Sequence, residues 1–421
     1  MSPASLLGLA SRRPMSLLVI MATVCGTAAL AGCTVNNATA GVDAGPGTPD
    51  GGGADAPPGD GTASGPLAFT PSNVDLSGID LTKVGDFVVD AVGCSVNTDG
   101  NLASCGDGAG VLGFKLATQS DGSKVGVYVA RSMTILAGKS LTVEGSHPLV
   151  FIALDTITIA GSLNGNSRSE VGIAGGQSRQ GQTPQRAKGA GPGGGGAGTD
   201  LTASGGGSYC GIGGAGGAES GPAASGGAAY GNAEITPLAA GSAGGDIGGA
   251  GGGAIQLVAG NAIAIAATGV VQAGGGGGGF GGIRTQNAAG GGSGGSILLE
   301  SLAVTVDGTL AANGGGAGAG TSNGVGAPPP EDPGGADSTA NATPAAGGKK
   351  GVGPSSGGDG SAGTAVNGTA GSFTAVDNNA AGGGGGGAGR IRINTKSGKA
   401  TLSGVISPAT STSCATQGAV R

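Results

Sequence analysis

The side chains able to do chemistry are few in this sequence, and they are scattered. His147 is the only histidine in 421 residues, and none of the six cysteines forms a CxxC pair, so a tetrahedral zinc site lacks its ligands. Gly291-Gly-Ser293-Gly-Gly295 fits the string of a nucleophile elbow. It lies inside a Gly/Ser tract with no strand running into it and no histidine nearby, so a Ser–His relay is not expected. Gly138-Lys139-Ser140 has the ending of a phosphate-binding loop, but Met133 stands where its first glycine must be, and the cradle of backbone N–H groups cannot form. Gly195-Gly-Ala-Gly-Thr-Asp200-Leu-Thr202 matches most of the calcium-binding nonapeptide. Thr202 replaces its large apolar residue, and calcium in such arrays is shared between consecutive repeats, of which there is one here. In a chain with 102 glycines, short glycine motifs arise by chance.

Four cysteines do support a prediction. Cys94-Ser-Val-Asn-Thr-Asp99-Gly100-Asn-Leu-Ala-Ser-Cys105 is centred on Asp99-Gly100, a type I′ hairpin signal. Pairing across that turn sets Thr98 opposite Asn101 and, counting outward, Cys94 opposite Cys105. Directly opposed residues have Cα atoms about 4.5–5.5 Å apart, within disulfide reach. A Cys94–Cys105 bridge is therefore expected, and Cys210 with Cys414 follows by elimination.

The elements that would carry these residues are strands. Val127-Tyr-Val129, Met133-Thr-Ile135, Leu141-Thr-Val143, Val150–Leu154 and Ile157-Thr-Ile159 mostly alternate apolar with small or polar residues, the period of a strand. Helical spacing is nowhere sustained. From residue 150 one template recurs four times, beginning at Val150, Ile255, Ile297 and Ile391. Laid over one another, the copies give aliphatic rows: Val150, Ile255, Ile297, Ile391; then Ile152, Leu257, Leu299, Ile393; then Ile157, Ile263, Val304, Ala400; then Ile159, Ile265, Val306, Leu402. A glycine corner follows at Gly161, Gly269, Gly308 and Gly404, and a last row at Leu163, Val271, Leu310 and Ile406. The first and third copies align without gaps. The row Phe151, Gln256, Leu298, Arg392 shares no chemistry and is expected to face outward.

Similar side chains at one template position stack into ladders when coils lie about 4.8 Å apart. The expected fold is all-β: a right-handed parallel β-helix or solenoid with long Gly-rich insertions on one face. The insertions run over 164–252, 274–295 and 314–388. Runs such as Gly274–Gly279 and Gly382–Gly387 either pack as extended polyglycine strands or stay disordered, and composition favours disorder. The same alignment tests for a carboxylate pair. Asp155 falls opposite Leu302, Asp307 opposite Ala160 and Glu300 opposite Ala153, so no acid stacks on an acid. Arg390 and Arg392 read as a solvated end of the solenoid. No metal and no cofactor is expected.

The ends of the chain add a location. Arg12 and Arg13 precede an apolar stretch, Met15–Leu30, too short to span a bilayer comfortably, and Leu30-Ala-Gly-Cys33 follows it directly. This resembles the lipobox of bacterial lipoproteins, which implies cleavage before Cys33 and lipidation of Cys33. Without residues 1–32 the chain carries 17 basic and 25 acidic side chains, net −8, which argues against nucleic acid as a partner. The expected organisation is a leader over 1–32, a lipid-anchored disordered tether over 33–66 rich in Gly, Pro and Asp, an N-terminal β cap over 67–123, and the solenoid with its insertions over 124–421.

The lipobox, the tether, the opening Phe69-Thr-Pro-Ser-Asn73 and the Gly-rich repeats resemble the Gly-rich surface lipoproteins of myxobacterial type, with a pectin-lyase-like β-helix as body. The likeness to mycobacterial PE-PGRS proteins is one of glycine content; their N-terminal domain is absent. The resemblance implies an exported protein held by its lipid on the outer membrane, at the periplasmic or the cell-surface face. The membrane is then its first partner, with surface polysaccharide or other surface proteins as further ones. With no catalytic constellation in view, the expected role is non-enzymatic, structural or adhesive. The alternative is a carbohydrate-binding or polysaccharide-degrading β-helix, which needs a groove lined by acids, Arg or aromatics; the aromatic supply is Tyr128, Tyr209, Tyr230 and six Phe.

Overall fold

A computed structural model of the chain describes residues 67–100, 102–105, 112–178, 186–280, 288–320, 334–349, 355–375 and 380–421. The expected leader, Cys33 and the expected tether lie outside the described residues. Among those described there is no α-helix, and the one helical turn is a 3-10 turn, Leu81–Lys83, capped by Asp80. The rest is strand and extended chain.

The strands succeed one another in rounds. The first round holds β1 (Asp86–Val89), β2 (Cys94–Asn97), β3 (Leu102–Ser104) and β4 (Gly113–Thr118). Next come β5 (Lys124–Ala130), β6 (Ser132–Ile135) and β7 (Ser140–Glu144), then β8 (Leu149–Ala153), β9 (Thr156–Ile159) and β10 (Ser162–Asn164). Two long strands follow, each with a short companion: β11 (Ala254–Ile265) with β12 (Val270–Gln272), and β13 (Ser296–Val306) with β14 (Thr309–Ala311). The last rounds are β15 (Arg390–Thr395), β16 (Thr401–Leu402) and β17 (Val405–Ser407), then β18 (Ala415–Ala419).

Pairing between rounds is parallel almost throughout. One curled sheet contains the ladder β5-β8-β11-β13-β15-β18 and, beside it, the ladder β1-β6-β9-β11-β13-β16. The second sheet runs β2-β7-β10-β12-β14-β17. Among the described strands, antiparallel pairs occur at one end, where β3 pairs β2 and β4 pairs β5. The sheets are therefore mixed.

Burial explains the arrangement. Met133, Ile157, Ile263 and Val304 lie in register, as do Ile135, Ile159, Ile265 and Val306, and Leu141, Leu163, Val271 and Leu310. All twelve are at most 3% exposed and share one core cluster. Each such aliphatic side chain contributes about 1.5–3 kcal/mol on burial. A second cluster covers the other face of the first ladder: Val127, Val129, Val150, Ile152, Val258 and Leu298 pack under Leu67, Phe69, Val74, Ile235 and Leu238. Strands apolar on both faces are what a parallel sheet covered on both sides requires.

That double burial corrects one expected row. Ile255 pairs with Leu149, Leu257 with Phe151, and Val258 with Ile152. Leu149 and Phe151 therefore face the main core, and Val150 and Ile152 turn to the second cluster. The cause is the corner between the two ladders. It takes two residues after β8 (Leu154-Asp155) and two within β11, where the register shifts between Ala259 and Ala262, but one within β13 (Leu302). A gapless alignment of the first and third copies is thus one residue out before the corner. A one-residue slip exchanges the faces of a strand, and here both faces are aliphatic, so composition gives no warning. Gln256 and Leu298, also expected outside, are fully buried.

The glycine insertions leave after β10, β12 and β14 and return at β11, β13 and β15. Their described parts are ordered by one another. Gly382, Gly385 and Ala388 donate to the carbonyls of Ser372, Thr369 and Val366; Gly383, Gly386 and Gly389 to Gly318, Gly315 and Ala312; Gly384 and Gly387 to Ser204 and Gly207. Likewise Ala288, Gly291 and Gly294 donate to Ala381, Gly384 and Gly387, while Ala289, Gly292 and Gly295 donate to Gly279, Gly276 and Ala273. Successive N–H groups point to three neighbours in turn. A period of three is that of the polyproline II helix, which has no internal hydrogen bonds and must find its partners outside. No glycine in 288–295 or 381–389 takes a positive φ. Glycine is needed here for space: a Cβ on Gly384 would collide with the Gly214 carbonyl, and one on Gly294 with that of Ala312. The expected disorder of Gly274–Gly279 and Gly382–Gly387 is therefore not found. It rested on the lack of apolar side chains, and the backbone supplies the contacts instead.

Candidate functional site

Both cysteine pairs are bridged. Cys94 and Cys105 face each other at the mouth of the β2–β3 hairpin with Cα atoms 4.5 Å apart. The pairing Ser95–Ser104, Val96–Ala103, Asn97–Leu102 is the expected register. The turn itself differs, because Gly100 lacks the positive φ of a type I′ turn. A local bond and tertiary contacts shape it: Asp99 N donates to Asn97 Oδ1, Thr98 N donates to the Glu144 carbonyl, and Tyr128 OH lies 2.7 and 2.9 Å from the carbonyls of Asn97 and Gly100. Cys210 and Cys414 are joined with Cα atoms 5.7 Å apart across 204 residues of sequence. This bridge ties the glycine bundle to the segment that enters β18.

The chance motifs are engaged structurally. Ser293 is fully buried; its hydroxyl accepts from Ser242 N and donates to the Gly294 carbonyl. His147 is set 3.8 Å from Asp99 at the hairpin. Asp200 pairs with Arg186 on the surface, and among the described residues no group of three or more His, Cys, Asp or Glu could hold a metal. Gly138, with φ +73°, turns the chain into β7.

The densest polar cluster among the described residues takes in Gln256 and Arg392, both expected outside. Glu300 is 1% exposed. Its Oε2 accepts from Ser72 N at 3.0 Å and Gln256 Nε2 at 2.7 Å; its Oε1 accepts from Ser72 Oγ at 2.5 Å and Asn394 Nδ2 at 3.1 Å. Asn73 Nδ2 then donates to Gln256 Oε1, and Arg392 Nε to Asn394 Oδ1. β11, β13 and β15 thus stack Gln256, Glu300 and Asn394 along one face, and the 71–74 segment closes over them. The carboxylate has its four acceptor positions filled by the protein, so the cluster pins the N-terminal segment to the sheet. Asp155 accepts from Asn261 and Asp307 from Ser403.

A second cluster joins bundle and sheet. Tyr209 and Tyr230 pack with ring centroids 4.6 Å apart, and the Arg390 guanidinium lies 5.6 Å from the Tyr209 ring while donating to the Tyr230 carbonyl at 2.9 Å. Tyr230 OH donates to the Ala240 carbonyl and accepts from Ser242. Burial holds the Tyr209 phenol up to about 12 and pushes Tyr230 up further, each partly offset by Arg390. Arg390 is therefore a packing residue and not the solvated end expected of it; Arg392 is half-buried against Asn394.

An open cleft of about 470 Å³ separates residues 71–75 from β4, with Asn73, Asp75, Lys115 and Thr118 on its walls. Asp75 and Lys115 approach to 3.5 Å across it. Its walls are mostly polar backbone and short side chains. Comparison with protein-family models, with curated proteins and with solved structures finds no match to this chain.

Proposed function

We propose that this chain is a surface lipoprotein: a right-handed parallel β-helix carrying a glycine bundle on one side, lifted from the membrane by a tether and anchored through lipid on Cys33. Its role is structural or adhesive, and it is not an enzyme. The observation that carries this reading is the parallel register of three ladders through six rounds of chain, with the three insertions leaving at one template position. Parallel crossovers of one hand are the rule, which supports right-handedness. Two disulfides suit an oxidising compartment, in keeping with export through the leader. The chemistry-bearing side chains Glu300, Tyr209, Tyr230, Ser293 and Arg390 are spent on packing, which supports a scaffold. The carbohydrate reading is weaker because Tyr128 and Tyr209 are buried and present no ring to a sugar.

The test is made in cells. Globomycin should leave the precursor uncleaved, Cys33→Ala should remove the lipid label, and protease added to intact cells should trim the normal protein. A product that is processed without lipid and found in the cytoplasm would refute the proposal.

A further inference from the structure

The two ends of the ladders are unlike in charge and alike in what they leave unpaired. Among the described residues, β1, β3 and β4 at one end each have one edge without a strand beside it, and β16, β17 and β18 do at the other. Such edges are templates for pairing with another chain. Residues 75–123, from which the first end is built, contain seven aspartates and two lysines. Residues 396–421, beyond the packed Arg390 and Arg392, contain two lysines and one arginine and no acid. At the first end Asp90 is exposed and has no partner among the described residues, Val92 is exposed two residues further on, and Leu116 is exposed on β4. At the last, Lys396, Lys399 and Arg421 are exposed and make no ion pair among the described residues, Val405 is 42% exposed, and Leu402 and Ile406 are partly buried. A sheet that ends twice with open edges, once acidic and once basic, is complementary to itself.

We propose that copies of this protein associate head to tail, the basic last round of one against the acidic first round of the next. The contact is heterologous and does not close on itself, so repetition gives linear assemblies. Opposed charges set the polarity of the contact and disfavour acid-to-acid or base-to-base stacking, and the uncovered aliphatic side chains at both ends supply the apolar part. This inference rests on the parallel-coil reading above but not on the lipid or the location.

The test is carbodiimide coupling, which joins a carboxylate to an amine in direct contact, on the purified full chain in detergent. Equal parts of normal and nitrogen-15-labelled protein identify links between copies. The expected result is mixed-isotope links from Lys396 or Lys399 to Asp80, Asp86 or Asp90, lost in high salt. K396E/K399E should lower their yield by about tenfold or more, and D80K/D90K should do the same. Mixing these two reversed variants should restore coupling. Circular dichroism and intact disulfides check that each variant is folded. Only within-copy links, or links between copies at other surfaces, would overturn head-to-tail association; surface exposure on cells, measured separately, would still stand.

Discussion

Glu300 shows how one side chain holds two distant parts of the chain together. Its acceptors are filled by Ser72, Gln256 and Asn394, residues from 44 to 228 positions away. Glu300→Ala leaves two buried amides and a hydroxyl without an acceptor, and should cost about 2–4 kcal/mol in urea denaturation. Glu300→Gln, which keeps one acceptor oxygen, should cost less. The paired tyrosines give a pH signature. Because the folded protein holds Tyr209 near 12, against about 10 unfolded, the neutral phenol favours the fold. That stabilisation is whole below pH 10 and is lost as pH rises toward 12. Phenolate absorbance of native protein should therefore lag behind that of unfolded protein, and unfolding should set in above pH 10. None of this was visible in sequence. Glu300 and Tyr209 are ordinary residues until the fold surrounds them.

Strands and glycine runs differ in what positions them. The strand ladders are held by side chains, and Phe151 tests their register. If Phe151 faced solvent, Phe151→Ala would be nearly neutral; packed at 5.7 Å from Phe87 in the main core, it should cost about 3–5 kcal/mol. The inward rows after the corner were legible from aliphatic spacing, from Ile157 through Leu163. The rows before it were not, because β8 is apolar on both faces and a missing corner residue leaves no trace in composition. The glycine runs are held by backbone. Gly384→Ala forces a methyl into the Gly214 carbonyl, and should lose about 1–3 kcal/mol or more. Gly100→Ala, with open space and no positive φ, serves as the control and should change stability by well under 1 kcal/mol. Thermal melts followed by circular dichroism would separate the two.

For the whole molecule the long disulfide matters most. Glycine-rich chain has more conformational freedom to lose than any other, so restricting the unfolded state is worth most where glycine is dense. Closing a loop of 204 residues corresponds to about 5 kcal/mol in the chain-entropy model, against about 3 kcal/mol for the 11-residue Cys94–Cys105 loop. Cys414→Ser should thus lower the midpoint of unfolding more than Cys105→Ser does. Limited proteolysis of Cys414→Ser should cut first in the bundle around residue 210, while the ladders from β5 to β14 persist.

Local information was enough for some of this. Alternation with period two, a turn between two cysteines and four similar aliphatic segments are short-range patterns, and they dictated strands, a hairpin disulfide and an all-β chain. The apolar period cannot say which of two greasy faces meets which core, since that depends on how many residues a corner consumes. Nor can composition say whether polyglycine is ordered. An isolated glycine run has no reason to choose one path, and only neighbours placed at close range on several sides, each accepting every third N–H, give it one.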